Sequence, residues 1–113
     1  MEIKRSVQGS IIVVSPVGRL GFDEAAGAQE HFEGAVADAS NGLVCDCSGL
    51  EYISSAGLRA FLIAAKAAEQ KGISLVACNL NENVESIFTI SGFDRIVPLH
   101  DTLESALAAL SSD

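Results

Sequence analysis

One stretch decides how the rest of the chain is arranged, and it reads Cys45-Asp46-Cys47-Ser48-Gly49-Leu50-Glu51-Tyr52-Ile53-Ser54-Ser55-Ala56-Gly57-Leu58-Arg59. The pattern predicts a buried strand, then a polar turn, then a helix that opens with small, hydroxyl-bearing residues. A serine at the start of a helix can cap a free backbone N–H. It can also present an exposed hydroxyl at the positive end of the helix dipole, where a phosphate group is tolerated. The roles of Ser54 and Ser55 therefore decide the function.

The composition limits the class of protein. A chain of 113 residues that is 49% hydrophobic fits one globular domain, predicted to span residues 1–113. The formal charge of −8 argues against nucleic acid as a partner, because the seven Lys and Arg residues form no basic patch. No apolar leader and no run of membrane-spanning length is visible, so we expect a soluble, cytoplasmic protein. We expect the three cysteines to be buried, apolar side chains in a reducing environment.

Upstream of the central stretch, the pattern predicts two strands and a helix. Residues 2–8 read as an edge strand, Gly9 and Ser10 as a turn, and residues 11–14 as a buried strand that Pro16 and Gly18 bring to an end. Residues 22–38 read as an amphipathic helix. The residues predicted to face inward from it are Phe22, Ala25, Ala28, Phe32 and Val36.

Downstream, strands and helices alternate. A helix over roughly 55–71 is followed by a strand at 73–78, a helix at about 82–91 and a short edge strand at 96–99. Asp101 and Glu104 form the pattern of a capping box for a last helix. The order β-β-α-β-α-β-α-β-α predicts an α/β fold, with about five strands in a mixed, mostly parallel sheet and about four helices.

The helix after the serines carries two apolar stripes. At 100° per residue, Leu58, Phe61, Leu62 and Ala65 form a core stripe, and Ala56, Ala60, Ile63 and Ala67 lie nearly opposite. The high helix propensity of alanine would explain the second stripe without any binding function. Ile63 in the same stripe favours the other interpretation, a docking surface that runs from the serines.

The residues that an enzyme needs are mostly missing. The chain has no nucleophile elbow, no phosphate-binding glycine loop and only two histidines, neither placed to activate a serine. Asp46 is the only carboxylate predicted near the serine turn, and a structural role at a strand end explains it. We therefore expect neither an enzyme nor a cofactor.

The residues from Asp46 to Arg59 resemble the signature of STAS domains, the family of anti-sigma factor antagonists. Residues 87–98 and Gly18-Arg19-Leu20 resemble further elements of the family, so the similarity spans nearly the whole chain. The resemblance implies a partner switch in which an anti-sigma factor, itself a serine kinase, phosphorylates the antagonist. A metal-dependent, PP2C-like phosphatase reverses this step.

The resemblance also implies roles for individual residues. The phosphate acceptor maps onto Ser55, two residues before Gly57, and Ser54 stands where many members have aspartate. Gly21 likewise stands where many have aspartate, with Asp23 close by; Asp46 and Asp23 are expected supporting carboxylates. The expected partner-binding residues are Ser54, Ala56, Gly57, Arg59, Ala60 and Ile63.

Two other functions stay open on the sequence. One is a constitutive STAS interaction or scaffold module without a phosphorylation cycle, and the other is an enzyme that uses Ser55 as its nucleophile. We expect a monomer or a weak dimer that does not insert into membranes.

Overall fold

The computed structural model describes residues 1–111, so residues 112 and 113 of the predicted domain lie outside the described part. Its elements are, in order, β1 (Glu2–Gln8), β2 (Ile11–Leu20), α1 (Ala25–Asp38), β3 (Gly42–Asp46), β4 (Leu50–Ile53), α2 (Ser55–Lys71), β5 (Ser74–Cys78), α3 (Glu82–Ile90), a 3₁₀ turn (Phe93–Arg95), β6 (Leu99–His100) and α4 (Leu103–Ser111). The predicted α/β class with a mixed sheet and four helices is confirmed.

The sheet is mixed because one strand runs against the others. Its strand order is β1-β2-β3-β5-β6, and β4 pairs separately with β2. Only β1 is antiparallel to its neighbour, through the hairpin at Gly9 and Ser10 that the sequence predicts. The other pairs are parallel, as expected where helices connect successive strands.

The strand β4 corrects the predicted order of elements, since the sequence reads residues 48–54 as a turn. Leu50–Ile53 pair in parallel with the end of β2, in the register Gly18 to Leu50 and Leu20 to Ile53. The strand is only four residues long, and Glu51 and Tyr52 within it are exposed. A strand this short, with two exposed residues in its middle, leaves little apolar signal in the sequence.

The second strand also continues past the residues that were predicted to end it. Ser10 O accepts a hydrogen bond from Asn41 N, and Gly18 N donates to Gly49 O (2.8 Å). The backbone N–H and C=O groups of the even-numbered residues of this segment therefore point towards β3 and β4. The missing N–H of Pro16 therefore falls between Val14, the last residue paired with β3, and Gly18, the first paired with β4. Pro16 breaks no ladder hydrogen bond there, which is why the strand tolerates it.

Helices cover the sheet on both faces. Residues of α1, α2 and α3 join one core cluster, and α4 packs through Ala106 on the opposite face. Three phenylalanine rings connect the helices of the larger cluster: the centroids of Phe32 and Phe61 lie 4.9 Å apart, and those of Phe61 and Phe88 lie 5.5 Å apart. No helix within residues 1–111 has the length and apolarity that crossing a bilayer requires.

Two details near the C-terminus differ from prediction. The N-terminus of α4 is capped by Thr102, whose Oγ1 accepts from Ser105 N (3.0 Å), so the predicted Asp101–Glu104 capping box is wrong by one residue. The edge strand β6 has only two residues and begins after Pro98. Leu103, Leu107 and Leu110 pack against the core as predicted.

One lysine fastens the ends of α1 and α2 together. Lys71 Nζ, in the last turn of α2, donates to the backbone oxygens of Val36 (2.9 Å), Ala37 (2.6 Å) and Ala39 (2.6 Å). These carbonyls lie in the last turn of α1 and at its C-cap, Ala39, where the helix dipole is negative and the last carbonyls lack partners within the helix. Val36 O also accepts from Ala39 N at 3.3 Å. The ammonium therefore supplies hydrogen-bond donors to the C-terminal end of the neighbouring helix α1.

We expect Lys71→Met to lower the free energy of unfolding by about 1–2 kcal/mol, because several charge-assisted hydrogen bonds are lost while the aliphatic stem is kept. Urea unfolding followed by circular dichroism measures the effect. Lys66→Met is the matched control, since Lys66 lies exposed on α2 without a hydrogen bond among residues 1–111. Equal stabilities of the two variants would contradict the role of Lys71.

Candidate functional site

Ser54 caps α2, as the sequence predicts. Its backbone is extended, and its Oγ accepts a hydrogen bond from Gly57 N at 3.1 Å. Its own backbone N–H donates to Leu20 O at 2.9 Å, which fixes the start of the helix to the end of β2. The hydroxyl of Ser54 is therefore already engaged by the fold.

Ser55 is in a different situation although it is the next residue. It is the first residue of α2, it is exposed, and its hydroxyl makes no hydrogen bond within residues 1–111. At this position the backbone N–H groups of the first turn lie close by and the helix dipole is positive. Ser55 thus offers a free hydroxyl where a negative charge would be favoured.

An apolar groove lies beside the two serines, between α2 and α3. Its volume is about 420 Å³, and we call it the α2–α3 groove; the residues that line it are Tyr52, Ile53, Ser54, Ser55, Leu58, Ile87, Ile90 and Ser91. Ile90, the last residue of α3, is 86% exposed, and Tyr52 is 39% exposed. Apolar side chains this exposed beside a free hydroxyl are typical of a surface that binds a partner.

A residue that sequence reasoning missed holds one wall of this groove in place. The side chain of Asn81 caps α3 by accepting from Val84 N (2.8 Å), and its amide nitrogen donates to Leu50 O (3.2 Å) on β4. Asn81 therefore ties α3 to the strand that leads into the serines. Asparagine before a helix is a recognisable cap signal, but the link to β4 needs the fold.

The loop between β2 and α1 brings an unexpected aromatic side chain to the same end of the sheet. Phe22 was predicted to face the core but is 82% exposed, because α1 begins only at Ala25 and Phe22 lies in the loop before it. This loop follows directly on Leu20, whose carbonyl holds Ser54 N. Phe22 thus lies in the loop that follows β2, close in sequence to Leu20, where the start of α2 is attached.

The carboxylate that organises this loop is Glu24 and not Asp23. Glu24 Oε1 accepts from Gly21 N at 2.9 Å and lies 2.8 Å from where a Cβ on Gly21 would be. The acid therefore fills the space of the side chain that Gly21 lacks. Asp23 is exposed and makes no side-chain hydrogen bond within residues 1–111.

Asp46 has the structural role that its position at a strand end predicts. Its Oδ1 accepts from Asn79 Nδ2 (3.0 Å) and from Ser48 N (3.2 Å), which orders the turns after β3 and β5. No hydrogen bond joins it to Ser54 or Ser55, so it cannot act on either hydroxyl directly.

The outer stripe predicted on α2 is only partly at the surface. Ala60 is 1% exposed, so the prediction that it lies on a surface stripe is wrong, and its side chain offers a partner no accessible surface. The physical reason is that α2 is covered both by the sheet and by α1, so its buried side is wider than one stripe. Ala56 and Ile63 are half-buried, and Arg59 is exposed.

Gly57 is also buried, and its role is packing. A Cβ added there would lie 2.7 Å from Leu20 Cγ, 2.7 Å from Leu20 O and 3.0 Å from Ile53 Cγ1. Glycine therefore lets the first turn of α2 approach the ends of β2 and β4. Close approach of the backbone therefore explains the glycine, and its burial gives the predicted partner contact of Gly57 no support.

The three cysteines are free and buried, as predicted. Burial and, to a smaller extent, the nearby carboxylate of Asp46 together raise the pKa of the Cys78 thiol to about 11. Burial also raises the pKa of Cys45 and of Cys47. All three thiols therefore stay protonated and unreactive at neutral pH.

Comparison with known proteins agrees with this geometry. The sequence profile of the STAS domain matches residues 2–106, and the chain belongs to the STAS domain family. The structure of an anti-sigma factor antagonist from Mycobacterium paratuberculosis superimposes with a TM-score of 0.90 over 98% of this chain and 94% of that one, at 22% identity. At that identity the likeness establishes the fold.

Two curated relatives are similar in sequence. A Bordetella bronchiseptica protein that carries the name anti-sigma factor antagonist BtrV is 44% identical over 70 residues, which is 62% of this chain and 60% of that protein. The anti-sigma F factor antagonist of Paenibacillus polymyxa is 31% identical over 68 residues, 60% of this chain and 58% of that protein. The chain thus matches about three fifths of the length of these relatives.

The packing of Gly57 gives a direct prediction. Gly57→Ala should lower the free energy of unfolding by about 1–3 kcal/mol, because the methyl group overpacks the contact with Leu20. Gly34→Ala in α1 is the control: nothing lies within 4 Å of its added Cβ, so it should be neutral or stabilise by up to about 1 kcal/mol. Thermal unfolding of both variants measures this. A stabilised Gly57→Ala protein would refute the close approach.

Proposed function

We propose that this STAS domain is an anti-sigma factor antagonist and that Ser55 is its phosphorylation site. An anti-sigma factor with serine kinase activity is the proposed partner, and a PP2C-like phosphatase the proposed enzyme of the reverse step. The single observation that carries the proposal is the contrast between the two serines: Ser54 is used as a cap and Ser55 is free. The names of the two curated relatives support the same class.

The chemistry asks little of this chain. The Ser55 oxygen attacks the γ-phosphoryl group of ATP, its proton passes to a base of the kinase, and ADP leaves. An exposed hydroxyl at the start of a helix can enter a kinase active site without unfolding the helix. Because the hydroxyl makes no hydrogen bond in the described chain, phosphorylation breaks no internal contact.

The proposed docking surface is the α2–α3 groove, with the exposed Ile90 in its wall, together with the exposed residues Phe22 and Arg59 near the start of α2. Ile63 and Ala56 continue the surface along α2. Phosphate on Ser55 adds about −1.5 to −2 charges at its edge. A partner that buries the apolar groove would have to desolvate that charge, so we expect the modified protein to release it.

The site is tested by incubation with a purified anti-sigma factor kinase of the same organism and ATP, followed by mass spectrometry. We expect one phosphate on the wild-type protein and none on Ser55→Ala. Ser54→Ala should still be modified, although loss of the cap costs about 1 kcal/mol of stability. Ser40→Ala, at another exposed serine, serves as the unaffected control. A phosphate that persists in Ser55→Ala would show that the site is wrong.

The groove is tested by measuring binding of the unphosphorylated protein to the same kinase. Burying an isoleucine side chain is worth about 1.5–3 kcal/mol, so Ile90→Gln should weaken binding about tenfold or more. Ile96→Gln is the control, since Ile96 is also exposed (47%) and does not line the groove. Equal affinities of the two variants would rule out the groove as the docking surface.

The alternative of a constitutive interaction module has a separate outcome. If Ser55→Asp bound its partner as tightly as the wild-type protein, a charge at this position would not act as a switch. The STAS domain would then serve as a scaffold without a phosphorylation cycle.

A further inference from the structure

Arg59 stands one helical turn beyond Ser55 on the same helix. Four residues correspond to about 6 Å of rise, and residues at i and i+4 lie on the same face. Long side chains on a helix lean back towards its N-terminus, over the preceding turn. The guanidinium of Arg59 is therefore within reach of whatever group Ser55 carries.

Arg59 is also unengaged, in contrast to cations elsewhere in the chain. Arg5 pairs with Asp38 at 2.6 Å, the guanidinium of Arg19 lies 4.2 Å from the ring centroid of Tyr52, and Lys71 binds three carbonyls. Arg59 is exposed and has no ion pair, hydrogen bond or ring contact within residues 1–111. An exposed arginine without a partner, one turn from a free serine, is available to an anion at that serine.

We propose that Arg59 binds the phosphate group once Ser55 carries it, and that the phosphate thereby withdraws Arg59 from the docking surface. The inference rests on the function proposed above and adds its mechanism. Phosphorylation then changes the surface twice: it introduces a negative charge and it removes the positive charge that a partner's acidic group would have met. Neither change requires the backbone to move.

The chemistry of the pair favours arginine. A guanidinium offers a planar fork of donors that matches two phosphate oxygens, and such charge-assisted hydrogen bonds are stronger than neutral ones. The start of α2 contributes N–H groups on the other side of the same phosphate. Other charged groups lie on elements that meet the start of α2: Arg19 on β2, Glu51 on β4, Asp23 and Glu24 before α1, and Glu82 and Glu85 on α3.

The test uses phosphoserine encoded at position 55, so that no kinase is needed, and ³¹P NMR at low ionic strength. A guanidinium beside the phosphate favours its dianion, so the second pKa of the phosphate should be lower in the wild-type protein than in Arg59→Gln, by roughly half a unit. Lys66→Gln is the control: it removes the same charge from the same helix about three turns away and should leave the pKa of the phosphate unchanged. Because the other charged groups are the same in the wild-type and Arg59→Gln proteins, a difference between their phosphate pKa values measures the effect of the Arg59 charge.

Coincident titrations of the wild-type and Arg59→Gln phosphoproteins would overturn the proposal, as would an equal shift in Lys66→Gln. A second arm measures affinity for the kinase in Ser55→Asp, Arg59→Gln and the double variant. If the negative charge acts partly through Arg59, the double variant should lose less binding free energy than the sum of the losses in the two single variants. A loss equal to that sum would count against the coupling. Failure of a kinase to modify Ser55 would defeat the proposed function alone, because the encoded phosphoserine tests Arg59 independently.

Discussion

The change of pairing partner along β2, from β3 to β4, determines where the candidate functional site lies. β2 pairs with β3 through Val14 and with β4 from Gly18 onwards, with an irregular register between Gly18 and Arg19. Gly18 has a φ of +104°, a conformation that other residues rarely adopt. Because β4 is carried past the end of β3, its last residue, Ile53, ends beside Leu20. The backbone bond from Ser54 N to Leu20 O and the close packing of Gly57 then fix α2 at that point.

The different roles of the two serines follow from this attachment. A residue whose backbone N–H is held by Leu20 and whose conformation is extended is in the right geometry to cap the following helix, so Ser54 caps it. The next residue must then be the first of the helix, with its side chain directed away from the packed contact at Gly57. Ser55 at that position is exposed whatever its function. The free hydroxyl of Ser55 is thus a consequence of how closely α2 packs against the end of the sheet.

The sequence predicts the parts of the structure that depend on local patterns. The bounds of α2, the αL residue Gly72 after Lys71 and the cap at Ser54 are all local, and all are confirmed. β4 and the continuation of β2 were missed because each depends on pairing with the other, and neither has a periodic apolar pattern of its own. Ala60 was misplaced because helical periodicity predicts one buried face, while α1 covers a second. Likewise, no local pattern shows that α1 begins only at Ala25, so Phe22 in the preceding loop looks like a core residue in the first turn of the helix.

These errors share a physical origin that bears on the proposed switch. The side of α2 that carries Ala60 is occupied by the fold, so the surface that remains for the proposed partner is the α2–α3 groove with the exposed residues beside it. Contacts within the fold hold the walls of that groove in place: Asn81 ties α3 to β4, and Phe88 packs on Phe61. Ser55 and Arg59 lie at its edge and hold nothing together in the described chain. If Ser55 is the phosphorylation site that we propose, a charge added there alters what the surface attracts without altering the structure that presents it, as a reversible signal requires.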